Sequence, residues 1–210
     1  MRCLSQTLWR IAFFLKNDAL RLQSETLSPI STHMARLLET LTRWTGTTRA
    51  VILFDSDIGE FSTDAFFWCV RDTPSVVLVV FTADGDVFGV FFSRAVTTQN
   101  EVIKDPNIFF FSLESHGRCE TPQRFVVRRE FQRSVWVLFN EHDRWTGRFG
   151  EVGLVGYGCL FIGNERSETA CCGLSRIVES IEDTTLTGWC AGETDTHTYR
   201  CIRLIAVHLI

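Results

Sequence analysis

Apolar residues run almost unbroken on either side of Asp84-Gly85 in the stretch 76–92, VVLVVFTADGDVFGVFF. Asp-Gly between two β-branched and aromatic runs signals a hairpin with a two-residue type I′ turn, whose central residues both need φ > 0. Such a turn sets Ala83 opposite Asp86, Phe81 opposite Phe88, Val80 opposite Gly89 and Val79 opposite Val90. One face of the ribbon then carries Val77, Val79, Phe81, Phe88, Val90 and Phe92. The other carries Val76, Leu78, Val80 and Phe91, with a gap at Gly89. A strand with one wet face alternates apolar and polar residues; this hairpin is apolar on both faces, so both are expected to be covered. Gly89 inside a strand implies that another element lies close against it. Gly89→Val is accordingly expected to cost about 2–4 kcal/mol through overpacking.

The remaining pattern supplies flanking elements. Leu8, Ile11, Leu15 and Leu22 stand at helical spacing, a segment suited to self-association (residues 8–22) or to folding back on the domain. Ser31 to Trp44 predicts a second helix, with Met34, Leu37, Leu38, Leu41 and Trp44 on one side and Gly46 past its end. The polar stretch Gly46-Thr47-Thr48-Arg49 suggests a boundary between a helical N-terminal segment, 1–46, and a domain, 47–210. Ala50–Phe54 reads as a buried strand, and Ser62 as the cap of a short helix carrying Phe66, Phe67 and Val70. A polar loop follows the hairpin, Arg94 to Asn107. Further strands are predicted at Ile108–Leu113, Arg124–Arg128, Val135–Phe139, Cys159–Ile162 and Arg200–Leu209. The last alternates Cys201, Arg203, Ile205, Val207 and Leu209 against Ile202, Leu204, Ala206 and His208. Many short strands and few helices predict an α+β, mostly β fold: a two-sheet antiparallel β-sandwich with peripheral helices.

Composition narrows the function classes. At 210 residues and 45% apolar content the chain can bury a thick core without disulfides. A net charge of −4 argues against a general nucleic-acid binder. Of 21 basic residues only Lys16 and Lys104 are lysines. Such a preference for Arg favours bidentate, partly buried ion pairs. Eight cysteines contain no CxxC pair, and Cys171-Cys172 are adjacent, which suits neither a zinc site nor an easy disulfide. The short apolar run Ile11–Leu15 is bracketed by Arg10 and Lys16, so no signal peptide and no membrane span is read, and the expected location is cytoplasmic with reduced thiols.

Three segments could carry chemistry. In VILFDSDIGEF, a buried strand delivers Asp55 and Asp57, an arrangement resembling the first motif of magnesium-dependent phosphatases, with a nucleophilic and an acid/base carboxylate. That chemistry also needs a phosphate-holding lysine, for which only Lys104 is available, and a later acidic pair. The alternative is that both carboxylates shape the turn and accept from local N–H groups. Glycines at 147, 150, 153, 156 and 158 form no phosphate-binding motif and read instead as a twisted, closely packed strand pair. His116 and Cys119 in ESHGRC could form a thiol–imidazole pair, making Cys119 a candidate redox-sensitive thiol.

Taken in order, several segments resemble the TLDc domain of eukaryotic oxidation-resistance proteins over roughly residues 47–210. FDSDIGEFSTDAFFWCV resembles the family's opening, TADGDVFGVFFS its glycine-bearing signature strand, and FFFSL the Phe-rich strand that follows. GLVGYGCLFIGN and the terminal RCIRLIAVHL resemble later family segments. Val90 stands in place of the signature's second glycine, and Glu60 lengthens the turn before the helix. Ala206-Val207-His208 replaces a segment that usually bears a carboxylate. The resemblance implies no catalytic site, no cofactor and no metal. It further implies protection against oxidative damage and, through a protein partner, an association with the peripheral part of the vacuolar proton-pumping ATPase. Loop residues Glu114, His116, Arg118, Glu182 and Asp183 are the expected interaction surface, since rigid scaffolds usually display recognition in loops.

Overall fold

The computed structural model describes residues 32–59, 61, 63–99, 101–132, 135–138, 151–154, 157–161, 178, 179, 186 and 199–210. The expected helix over 8–22, the Ser31 and Ser62 caps, and Glu182 and Asp183 lie outside them. The chain divides into two compact units between Leu41 and Thr42. Helix α1, Thr32–Thr45, runs through that point. Gly46 ends it in the left-handed conformation (φ 71°), and the Thr47 N–H donates to the Thr42 carbonyl at 3.0 Å. That i to i−5 bond is the Schellman stop, which glycine adopts without a Cβ penalty.

All strands belong to the second unit: β1 Ala50–Asp55, β2 Val76–Thr82, β3 Asp86–Phe92, β4 Glu101–Ile103, β5 Phe109–Ser115, β6 Gln123–Val126, β7 Val135–Leu138, β8 Glu151–Leu154, β9 Tyr157–Phe161 and β10 Cys201–Leu209. Helix α2, Thr63–Val70, follows β1. One antiparallel sheet has six strands in the order β1-β10-β2-β3-β5-β6, and a second has four, β4-β7-β8-β9. The fold is therefore mostly β, as expected. Strand β4 falls in the stretch 94–107 expected to be loop; three residues paired with distant β7 leave too short a pattern to read. The glycine-rich segment does form a strand pair, β8–β9, with Gly153 opposite Gly158 at an irregular register.

The hairpin exists with both faces buried, but its register differs by one residue from the expected pairing. Val79 faces Gly89, Val80 faces Phe88 and Phe81 faces Val87. The turn is longer than the two-residue type I′ form, and Gly85 alone in it has positive φ (82°). Thr82 accounts for this. Its carbonyl accepts from the Gly85 N–H at 3.1 Å and its hydroxyl from the Asp86 N–H at 3.0 Å. A left-handed glycine closing a three-residue loop matches the right-handed strand twist as well as a type I′ turn does. A one-residue slip moves a strand's whole side-chain set to the other face. Val76, Leu78, Val80, Phe88, Val90 and Phe92 thus share one face, and all six lie in the main core cluster.

That cluster also takes in Phe66, Phe67 and Val70 of α2, Ile103 of β4 and Leu160 of β9. Phe54 meets Phe66 edge-on at 5.3 Å. On the opposite face Trp44 meets Phe109 edge-on at 6.3 Å. Gly89 is required where it sits: a Cβ would lie 1.8 Å from the Leu78 carbonyl oxygen and 2.8 Å from the Phe111 ring. The expected alternation of β10 breaks at its start. A register shift between Cys201 and Arg203 puts Cys201 in the core with Leu204 and Ala206, not with Arg203.

Candidate functional site

The β2–β3 turn and the β5–β6 loop meet at one end of the six-stranded sheet. An open cavity of about 350 Å³ there is lined by Gly85, Glu114, His116, Cys119, Glu120 and Pro122, among others. Three of the residues expected to form an interaction surface fall at this end, Glu114, His116 and Arg118. Their roles differ. His116 is exposed, has a left-handed backbone (φ 50°), and sets its Nδ1 3.1 Å from where a Cβ on Gly85 would be. Arg118 reaches back through its Nη2 to the Asp86 carboxylate, which is 1% exposed. It therefore serves the fold before any partner. The loop's backbone is fixed from Ser115, whose carbonyl accepts from the Arg118 N–H at 3.0 Å and whose hydroxyl accepts from the Cys119 N–H at 2.6 Å. His116 and Cys119 thus line one cavity.

The Asp55–Asp57 segment lies elsewhere, at the end of β1. Arg203 grips Asp55 in two places, Nε to Oδ1 at 3.0 Å and Nη2 to Oδ2 at 2.5 Å, and its Nε lies 3.1 Å from Asp57 Oδ2. The Asp57 N–H donates to Asp55 Oδ1 at 3.1 Å, and the Ile58 and Gly59 N–H groups donate to the Asp55 carbonyl. Hydrogen bonding to Asp55, opposed in part by burial, holds the Arg203 guanidinium above its ordinary range. These carboxylates shape the turn, which was the structural alternative. A fixed cation already meets both of them, and the strand that delivers them is antiparallel.

Sequence reasoning missed a third carboxylate. Asp105 is fully buried just past β4 and accepts from the Ser93 N–H (2.7 Å), the Ser93 hydroxyl (2.6 Å), the Arg94 N–H (3.3 Å) and the Asn107 N–H (3.0 Å). The turn residues of KDPN were visible as a signal; the depth of the aspartate was not. Three described cysteines are free thiols: Cys69, Cys119 and Cys201. Burial pushes the Cys69 and Cys201 thiols up to about 12, which makes both inert as nucleophiles. Cys119, half-buried like Cys69, forms part of the cavity wall.

These observations define a mostly β domain whose carboxylates are held at strand ends and whose accessible polar groups gather in loops. The sequence matches the TLDc domain over residues 24–202, and the chain belongs to that family. The match takes in α1 and the strands as far as the first two residues of β10. No curated protein is significantly similar to the chain. No helix among the described residues is long and apolar enough to cross a membrane.

Proposed function

We propose that this TLDc domain is a non-enzymatic interaction module acting in the cytoplasm against oxidative damage, with the peripheral part of the vacuolar proton-pumping ATPase as its partner. One observation carries the reading: the carboxylates best suited to catalysis are engaged internally, Asp55 and Asp57 by Arg203 and Asp86 by Arg118. The cavity end, with Glu114, His116 and Glu120, is the surface offered to the partner. Behind it, the four-stranded sheet forms the second layer of a sandwich, a packing supported by Ile103 and Leu160 sharing a core with β2 and β3.

The test is binding of the full chain to the purified peripheral sector of that ATPase. A complex weakened at least tenfold by Glu120→Arg, with unchanged melting temperature, is the expected result. Absence of any complex overturns the partner assignment. Magnesium-dependent phosphatase activity that disappears in Asp55→Asn would overturn the non-enzymatic reading instead.

A further inference from the structure

Between Ser115 and Phe125 no side chain is fully buried: His116, Gly117, Glu120, Thr121 and Pro122 are exposed, and Arg118 and Cys119 are half-buried. The loop is attached by polar contacts instead. Among them are the local bonds to Ser115 and one to the neighbouring strand, the Arg118 guanidinium on Asp86. Two consecutive residues, His116 and Gly117, sit in the left-handed region (50° and 81°), and a histidine keeps that conformation only while its surroundings hold it there. Asp86 cannot follow the loop, because it opens β3 and pairs with Ser115 in the ladder.

The geometry points to a strap: residues 116–122 are latched over the hairpin tip by Arg118–Asp86, and release of that latch takes the cavity wall apart while the sheet stays folded. A segment with few buried apolar contacts and a strained backbone belongs to the low-stability end of a fold, where local opening precedes global unfolding. In the closed state the cavity wall, with Cys119, is assembled; in the open state the Cys119 backbone and thiol become fully accessible. The latch thus decides whether the surface assigned above exists, and it does so without any bound group. The inference does not depend on the identity of the partner.

Peptide-resolved alkylation of the full chain with N-ethylmaleimide tests it. Arg118→Met is expected to label Cys119 at least tenfold faster than the wild type, with the Cys201 rate unchanged. Equal Cys119 rates in both proteins overturn the latch, and so does a parallel rise at Cys119 and Cys201, which reports global unfolding. Should Arg118→Met fail to fold, native-state hydrogen exchange of the wild type decides the matter. The Arg118 and Cys119 amides are expected to exchange by an opening insensitive to denaturant. Exchange with the same denaturant dependence as the β3 amides refutes the strap.

Discussion

The middle of the six-stranded sheet and its rim are built on different physics. In β2 and β3 every residue except Phe81 is fully buried, and the side chains on both faces are almost all apolar. At the rim, three buried carboxylates sit at or just past strand ends, each with its own donors: Arg203 for Asp55, Arg118 for Asp86, and Ser93, Arg94 and Asn107 for Asp105. Apolar burial is non-directional and scales with area, so the middle sets stability. A paired buried charge adds little net stability, yet is costly to break. The rim therefore fixes where loops lie, and the loops are what a partner meets.

The largest expected effect lies in the middle. Gly89→Val would place a Cβ 1.8 Å from a backbone carbonyl that cannot rotate away without breaking the β2–β3 ladder. The cost is set at about 4 kcal/mol or more, above the range that overpacking alone suggests, because backbone and not a side-chain tip must move. Urea unfolding measures it. A loss below about 1 kcal/mol would mean that β2 and β3 separate freely at this point, and the contrast between middle and rim would fail.

The same contrast explains what could be read from the chain. The hairpin and its two covered faces were legible because β-branched and aromatic runs flank a turn dipeptide. Its register was not, because the Thr82 hydroxyl selects a longer turn that Asp-Gly alone does not specify. The bulge at Cys201–Arg203 was likewise invisible, being a matter of pairing with Phe81 and Thr82 and not of local pattern. Glu114, His116 and Arg118 were legible as loop residues, but not the ion pair that engages Arg118, since Asp86 lies 32 positions away. Arg203 lies 148 positions from Asp55. The excess of Arg over Lys announced such pairs without naming partners.

At the rim the effect is smaller. Arg203→Met leaves Asp55 without its bidentate partner in a site closed to most of the solvent. Breaking a buried pair costs roughly 3–5 kcal/mol, but the Arg203 side chain is 33% exposed, so water offsets part of the loss. About 2 kcal/mol is expected from urea unfolding. Arg71→Met supplies the control, since Arg71 rests on the exposed Trp68 ring at 5.1 Å and pairs with an exposed Asp72. Its loss is expected below about 0.5 kcal/mol. Equal losses in the two variants would remove any distinction between a clamp on a buried carboxylate and an arginine paired with an exposed one.

Apart from the control, the smallest effect returns to the junction of the two regions, at Cys201, which the bulge turns from the rim into the core. Burial raises its thiol from 9.0 to about 12 in the folded chain, with hydrogen bonding to the Arg203 backbone a weaker opposing influence. Below pH 9.0 the thiol is protonated folded or unfolded, and its full contribution to stability is present. As pH rises above that value the unfolded chain releases the proton while the folded chain retains it, so stability falls until the folded thiol also ionises. Each pH unit inside this window carries at most about 1.4 kcal/mol for one group. Cys201→Ala costs packing at every pH but removes this pH dependence, so its stability deficit is expected to shrink by about 1 kcal/mol between pH 8 and pH 10. A deficit that stays constant across that interval would show that water reaches the sulfur, and that the bulge leaves Cys201 at the rim.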